Sequence, residues 1–407
     1  MKNLIPLLFL IFLVKAHGGP IKIDKNELKN RRPGLTSKGV QRRLMRANEF
    51  MAKGNRAEAI KILEGMTSKA NYRPFEMGKV WQTIAYAYAQ SEKYPQARNA
   101  FQKSIETSAL PYRPTLQSLF ALAQLQVMAE KYGEAEKNLS QWFALTDKPN
   151  PDAYVFMATI AYHKKEKDRA LELILKGLAL SKNPKENWLV FAVSLLYEKE
   201  RYKDASEFLY KLVNLNHTKK MYWRQLAGTL LNNGNGLHAL SVLKLALMQK
   251  LLTEEGEILN IASLYIGQGL PFEASELLER AMSLKAIKKS YKNQKLYANC
   301  LIQAKEFDKA LGPLEKAAAL SKDGKLYALK ARLFLEKEEY KEALKQFNLS
   351  LQKGLDKKDR GQVLVEKGIA LIQLKDFISA KTTLDEALKY KDSQKLAQNW
   401  RSYIEKL

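Results

Sequence analysis

The chain has 407 residues, 46% of them hydrophobic and 27% charged, with only 20 glycines and 12 prolines. This composition belongs to folded proteins and excludes a disordered or collagen-like chain. Sixty-eight Lys and Arg against 43 Asp and Glu give a formal charge of +25 at pH 7, which favours acidic partners, anionic headgroups or polyanions. A lone cysteine, Cys300, excludes an internal disulfide; in the apolar stretch YANCLI it reads as a buried structural thiol. No stretch alternates apolar and polar residues long enough for a sheet, so the expected class is all-α.

The first element is an export signal over residues 1–16. Lys2 supplies a positive start and Leu4 to Val14 an unbroken apolar run. That run makes about 16 Å of helix, roughly half of a ~30 Å bilayer core. Cleavage is expected after Ala16 or after Gly18, with an uncleaved anchor as the competing arrangement. The mature chain is then expected in the periplasm, away from nucleic acid, which is not expected as a partner despite the pI of 9.7. Residues 17–39, with HGGP, RRPG and a high density of Lys and Arg, read as a basic flexible linker; docking a partner or running back along the repeats are the alternatives.

From residue 40 to 390 one pattern recurs: an alanine followed four residues later by a large apolar residue. It runs Ala59, Ala97, Ala135, Ala170, Ala205, Ala239, Ala274, Ala310, Ala343 and Ala380, spaced 33 to 38 residues apart. Twelve residues before most of these lies a second small residue, as at Ala47, Ala85, Ala123, Ala158 and Gly368, with Val193 the exception. Two small residues at matching heights let antiparallel helices approach closely, and the larger residues fill the gap to the next pair. Short polar connectors such as Glu92-Lys93-Tyr94-Pro95 and Lys305-Glu306 mark the turn inside a pair, and Pro111, Pro114, Pro149, Pro151 and Pro184 the turns between pairs. Residues 391–407 read as one further amphipathic helix that caps the array.

The fuller pattern is Trp81-x2-Ile84-Ala85-x2-Tyr88 followed by Ala97-x3-Phe101, and Trp223-x2-Leu226-Ala227 followed by Ala239-x3-Leu243. It resembles the tetratricopeptide repeat. The resemblance implies an α-solenoid, a superhelix of about ten helix pairs plus a C-terminal capping helix.

No catalytic constellation is visible. His17, His163, His217 and His238 lack metal-ligand spacing, and neither H-E-x-x-H nor C-x-x-C occurs. Gly234-Asn235-Gly236-Leu237-His238-Ala239 superficially matches a phosphate loop, but it lies between two helices and reads as a tight turn. The chain is therefore not expected to be an enzyme, and no cofactor or metal is expected.

Recognition remains. The first helix of each pair lines the concave surface of such an array, which nominates Gln82, Tyr86, Phe120, Gln124, Thr159, Tyr162, Val190, Tyr197, Arg224, Lys295, Asn299 and Arg332 for partner binding. Aromatic and amide groups dominate the earlier repeats and basic groups the later ones. Lys285, Lys288, Lys289, Lys292 and Lys295 form an acid-free cluster.

A narrower resemblance rests on SQWFAL, PNPDAYVFMATIAY, PKENWLVFAVSLLYE, KKMYWRQLAGTLL and LLTEEGEILNIASLYIGQGLPFEASELLERAM. These stretches look like the exported repeat proteins found with TonB–ExbB–ExbD systems of Gram-negative bacteria. The resemblance implies a periplasmic accessory to energy transduction and uptake of iron chelates. A general scaffold for outer-membrane or peptidoglycan assembly is the alternative. TonB's linker is typically rich in Lys and Pro, so an acidic segment of another component suits a chain of this charge better.

Overall fold

The computed structural model describes residues 23–68 and 71–406; the expected signal over 1–16 lies outside the described residues. Among them are twenty-two helices and no strand. The chain divides into two compact units, one ending at Arg201 and the other beginning at Tyr202.

The first unit opens with α1 (Lys25–Asn30) and contains four complete helix pairs. These are α2 (Lys38–Ala52) with α3 (Arg56–Thr67), α4 (Pro74–Gln90) with α5 (Tyr94–Glu106), α6 (Tyr112–Met128) with α7 (Tyr132–Leu145), and α8 (Pro151–His163) with α9 (Lys167–Leu180). It ends on α10 (Glu186–Glu198). The second unit starts with α11 (Tyr202–Leu215). The pairs α12 (Lys220–Asn232) with α13 (Gly236–Met248), α14 (Glu255–Gly267) with α15 (Pro271–Ser283), and α16 (Tyr291–Gln303) with α17 (Phe307–Ala319) follow. It then has α18 (Lys325–Glu336) with α19 (Tyr340–Lys353), α20 (Lys357–Gln373) with α21 (Phe377–Ala387), and a last helix, α22 (Gln394–Ile404).

All ten repeat alanines are completely buried. Their counterparts on the first helices, from Ala47 to Ala331, are 0–2% exposed, and the bulkier Val193 is 6% exposed. At Gly368 even a methyl group is too large, since a Cβ there would lie 2.8 Å from Leu384. A second contact recurs near the base of two pairs. The Ser104 hydroxyl donates to the Gly78 carbonyl at 2.8 Å, and Ser350 does the same to Gly324 at 2.8 Å.

The turn inside each pair has one geometry throughout. Five residues before each repeat alanine, from Gly54 to Lys375, the backbone has a φ of 55–76°. The following amide reaches back to the carbonyl five residues earlier, as in Lys93 to Tyr88 and Asn235 to Leu230, over 2.8–3.0 Å. This is the Schellman closure, in which a left-handed residue lets the chain cap the orphan carbonyls of the helix just ended. Gly234 in the phosphate-loop look-alike is one of these residues, so its glycine serves the turn.

The array is covered at its end by α22, whose Ala397 is buried and whose Trp400 and Ile404 pack on the core of α20 and α21. At the other end the expectation of a flexible linker fails over the described part of residues 17–39. From Ile23 onward the segment is a folded strap running back along the first unit. Leu28 on α1 is fully buried, while Lys25 and Lys29 reach Asp147 at 3.0 and 2.6 Å. Arg31 donates to the Leu110 carbonyl at 3.3 Å and pairs with Glu27 at 2.6 Å. The Ser37 amide donates to buried Glu76 at 2.6 Å. Nothing in the pattern of this basic run reveals that Asp147 and Glu76 receive it.

The Ser37 amide is the main reason that the Glu76 carboxyl is held below its ordinary range; burial opposes it, and the Arg73 amide adds to it. A lowered native value stabilises the strap above the free value of 4.5 and loses that contribution as pH falls through the native one. Acidification should therefore raise the hydrogen exchange of the Ser37 amide before α4 and α5 open. Simultaneous exchange of all three would refute this. At Gly324, a Cβ would strike the Ser350 carbonyl, so Gly324→Ala should destabilise α18 and α19 by roughly 1–3 kcal/mol. Gly228→Ala, with open space around it, should be neutral or gain up to about 1 kcal/mol. Exchange-derived opening energies of the two variants check the contrast.

Candidate functional site

In the first unit the nominated residues fall on the face formed by the first helices of successive pairs, but they are not equally available. Gln82 on α4 donates to the Pro114 carbonyl and the Ser118 hydroxyl, each at 2.9 Å. Its amide ties α4 to α6. Phe120 is half-buried, with its ring 5.4 Å from both Trp142 and Phe156. The Thr159 hydroxyl returns to the Val155 carbonyl at 3.0 Å.

Four others remain accessible on this face and a fifth, Tyr197, partly so. Tyr86 is 39% exposed and stands edge-on to Phe101 at 5.0 Å; partial burial pushes its phenol above the ordinary range. Gln124 is exposed. Tyr162 is 37% exposed and packs edge-on against Phe191 at 5.5 Å. Val190 is exposed beside Asn187 and Ser194 on α10, and Tyr197 is half-buried. The accessible rings are therefore braced from behind by Phe101 and Phe191, with the Phe120, Trp142 and Phe156 cluster between them. Edge-on and tilted ring pairs of this kind are favourable in themselves, so the face is fixed before any partner arrives.

In the second unit the basic candidates are partly compensated. Arg332 donates through Nε to both carboxylate oxygens of Glu366, at 2.9 and 3.0 Å. Lys295 lies over the Tyr291 ring, 5.9 Å from its centre, and Asn299 is half-buried. Arg224 stands 4.0 Å from Glu257 and lines a cavity of about 450 Å³ with Leu231, Leu243 and Leu264. Burial raises the Glu257 pKa, but the Lys220 ammonium at 3.0 Å and the Glu254 and Thr253 amides outweigh it and hold the carboxyl low. Of these groups Arg332 is closed into an ion pair, Arg224 stands at the limit of one and Lys295 lies against a ring.

Sequence reasoning missed Phe156, which packs on Phe120, and Phe191, which braces Tyr162, and also Phe75, Lys79 and Arg113, which line a cavity together with the strap residues Arg31 and Pro33. The aromatic density of DAYVF and NWLVF was the available signal for the first two. Nothing in the sequence signals the others, because the strap brings them together. Among the described residues no group of three or more His, Cys, Asp or Glu is arranged to hold a metal. No helix among them is long and apolar enough to cross a membrane.

A tetratricopeptide repeat model matches residues 78–109, which span most of α4 and all of α5. The helix pairing and turn geometry of that segment recur through both units. No curated protein matches the chain. Among solved structures, MamA from Desulfovibrio magneticus RS-1 is 15% identical, over 46% of this chain and 99% of that one, with a TM-score of 0.39. A repeat protein from Parabacteroides merdae is 14% identical, over 72% of this chain and 99% of that one, with a TM-score of 0.36. YrrB, described as a repeat protein with an unusual peptide-binding site, is 14% identical over 40% of this chain and 82% of its own, with a TM-score of 0.35. Nothing about this chain's partner follows from likenesses of that size.

Cys300 is fully buried, and burial pushes its thiol up to about 11. At pH 8 its thiolate fraction is on the order of one in a thousand. Native protein should therefore be inert to a disulfide reagent such as DTNB at that pH and react fully in denaturant. Rapid native labelling would mark an accessible thiol.

Proposed function

We propose that the chain is a non-catalytic protein–protein interaction scaffold that holds an extended polypeptide along the first-helix face of its first unit. The observation that carries this is the braced aromatic row, in which Tyr86 and Tyr162 keep more than a third of their surface in solvent while their inner edges are fixed by Phe101 and Phe191. Rigid, amphipathic rings supply contact area at little entropic cost. The neighbouring Gln124, Val190 and Tyr197 add amide and apolar groups of the kind that grip a peptide backbone and its side chains.

In this proposal the chain works in the bacterial envelope, exported by residues 1–16 to the periplasm, as an accessory to TonB-dependent energy transduction and nutrient uptake. Support comes from the KENWL, YW-x-QLAG and LLT-x-x-x-E-x-LN-x-ASLY phrases, which exceed what a helix pair requires. The positive charge favours an acidic segment of a partner over the basic linker of TonB itself.

Photocrosslinkers at Tyr86, Gln124 and Tyr162 should trap one envelope protein in cells, and Tyr86→Ala with Tyr162→Ala should weaken its capture about tenfold or more. Loss of the gene should impair growth on chelated iron. Normal growth together with capture of outer-membrane assembly factors would replace the TonB assignment by the general scaffold. No crosslink from any of the three positions would remove the aromatic face as the binding surface.

A further inference from the structure

Where the strap crosses the first unit it encloses a cavity of about 490 Å³, a size typical of small-molecule sites. Arg31 and Pro33 of the strap form one wall, Phe75, Lys79 and Gln82 of α4 the floor, and the Leu110–Pro114 turn the opposite wall. Three of the lining residues are prolines, two are aromatic, three are cations and none is acidic.

The walls are held in place independently of any occupant. Gly34 passes so close to Phe75 that a Cβ would lie 2.8 Å from the ring. Gln82 is fixed by its bonds to Pro114 and Ser118. Leu110 receives hydrogen bonds at its carbonyl from Arg31 at 3.3 Å and from the Thr115 hydroxyl at 3.0 Å. The Tyr112 phenol donates to the Leu145 carbonyl at 3.1 Å. Arg31 is offset by Glu27. Lys79 and Arg113 are exposed at the rim, where neither has an acidic neighbour in the lining.

A preformed cavity with a mostly apolar lining, two cations at its mouth and no acidic residue in that lining matches one kind of guest: a compact apolar body ending in a carboxylate. We infer that the strap pocket binds a small apolar carboxylic acid, its body against Phe75, Leu110 and the prolines, and its carboxylate between Lys79 and Arg113. The strap makes the pocket a ligand site distinct from the exposed aromatic face. A bound acid would also tie the strap to the repeats, since both line the same cavity.

The test uses the full chain and 3-phenylpropanoate as the probe, with the neutral, equally shaped 3-phenylpropanamide as control, read by titration calorimetry and saturation-transfer NMR. The acid should bind at least about tenfold more tightly than the amide, because charge-assisted hydrogen bonds distinguish them. Lys79→Ala with Arg113→Ala, both at exposed positions, should abolish that preference without lowering the thermal midpoint, and raised salt should erode it. Gly34→Val should weaken both probes by displacing the strap from Phe75. Equal binding of acid and amide, no binding of the acid, or an unchanged double variant would overturn the inference. So would a phenylalanine-ended tripeptide that outcompetes the free acid, which would assign the pocket to a chain end. Tyr86 and Tyr162 lie outside the pocket, so its failure leaves the crosslinking result untouched.

Discussion

Everything else in this molecule depends on the close approach of two helices over a pair of small residues. A small residue on each helix of a pair, both out of solvent, leaves room for the residue four positions on, such as Leu63, Phe101 or Phe347, to be completely or almost completely buried. Closely packed interiors respond strongly to a single methylene. This explains why the small residue persists through so many pairs, and why glycine replaces alanine where Leu384 already fills the gap. The left-handed turn is the necessary companion. It reverses the chain within a few residues, and in most pairs it does so at a Glu or Lys in place of glycine. The strain at these positions is over-determined by the packing on both sides.

That division explains what the sequence disclosed. Spacing revealed the pairs, because the alanine and the large residue after it are constraints within a repeat. Candidate binding residues also had the right register, yet register alone does not say whether a side chain is offered or occupied. Gln82, Phe120 and Arg332 are each taken up by the next first helix, through Ser118, Phe156 and Glu366 respectively. Tyr86 meets Phe101, and Tyr162 meets Phe191 and His163, yet each keeps more than a third of its surface exposed. The deciding contacts lie roughly one repeat away in sequence, beyond the reach of any local pattern. The strap, which the sequence offers only as an alternative to a flexible linker, is undecided there for the same reason. Leu28 looks like an isolated apolar residue in a charged run until a surface supplied by later repeats receives it.

Charge follows an equally local logic. Lys220 at the start of α12 has Glu254 and Glu257 of the following pair within 3.0 Å, and Lys325 at the start of α18 has Asp356 and Asp359. Those carboxylates hold the Lys325 ammonium above its ordinary range, Asp359 contributing most. Positive charge at the N-terminus of a helix opposes its macrodipole, and the carboxylates from the next pair offset that cost. At α16 the arrangement differs. Its first turn carries Lys292 and no acid, and Lys285, Lys288 and Lys289 precede it in a turn pinned by buried Ile287 and by Asn293 donating to Glu255 at 2.8 Å. Lys285, Lys288, Lys289, Lys292 and Lys295 are thus one local concentration of the positive charge that the sequence carries.

The first-helix groups of the two units, each taken by itself, therefore differ in what they can give a partner. Ion pairs between neighbouring first helices, as in Arg332 with Glu366, satisfy their own charges, and a partner entering there must break them and take up the desolvation cost of both ions. Ring contacts impose no such demand. An apolar or amide-bearing segment laid against Tyr86 and Tyr162 buries surface without unpairing anything, so binding energy from the first unit is available in full. What the first unit offers is contact area on rings already fixed along an edge, whereas Arg332 of the second unit must first release Glu366.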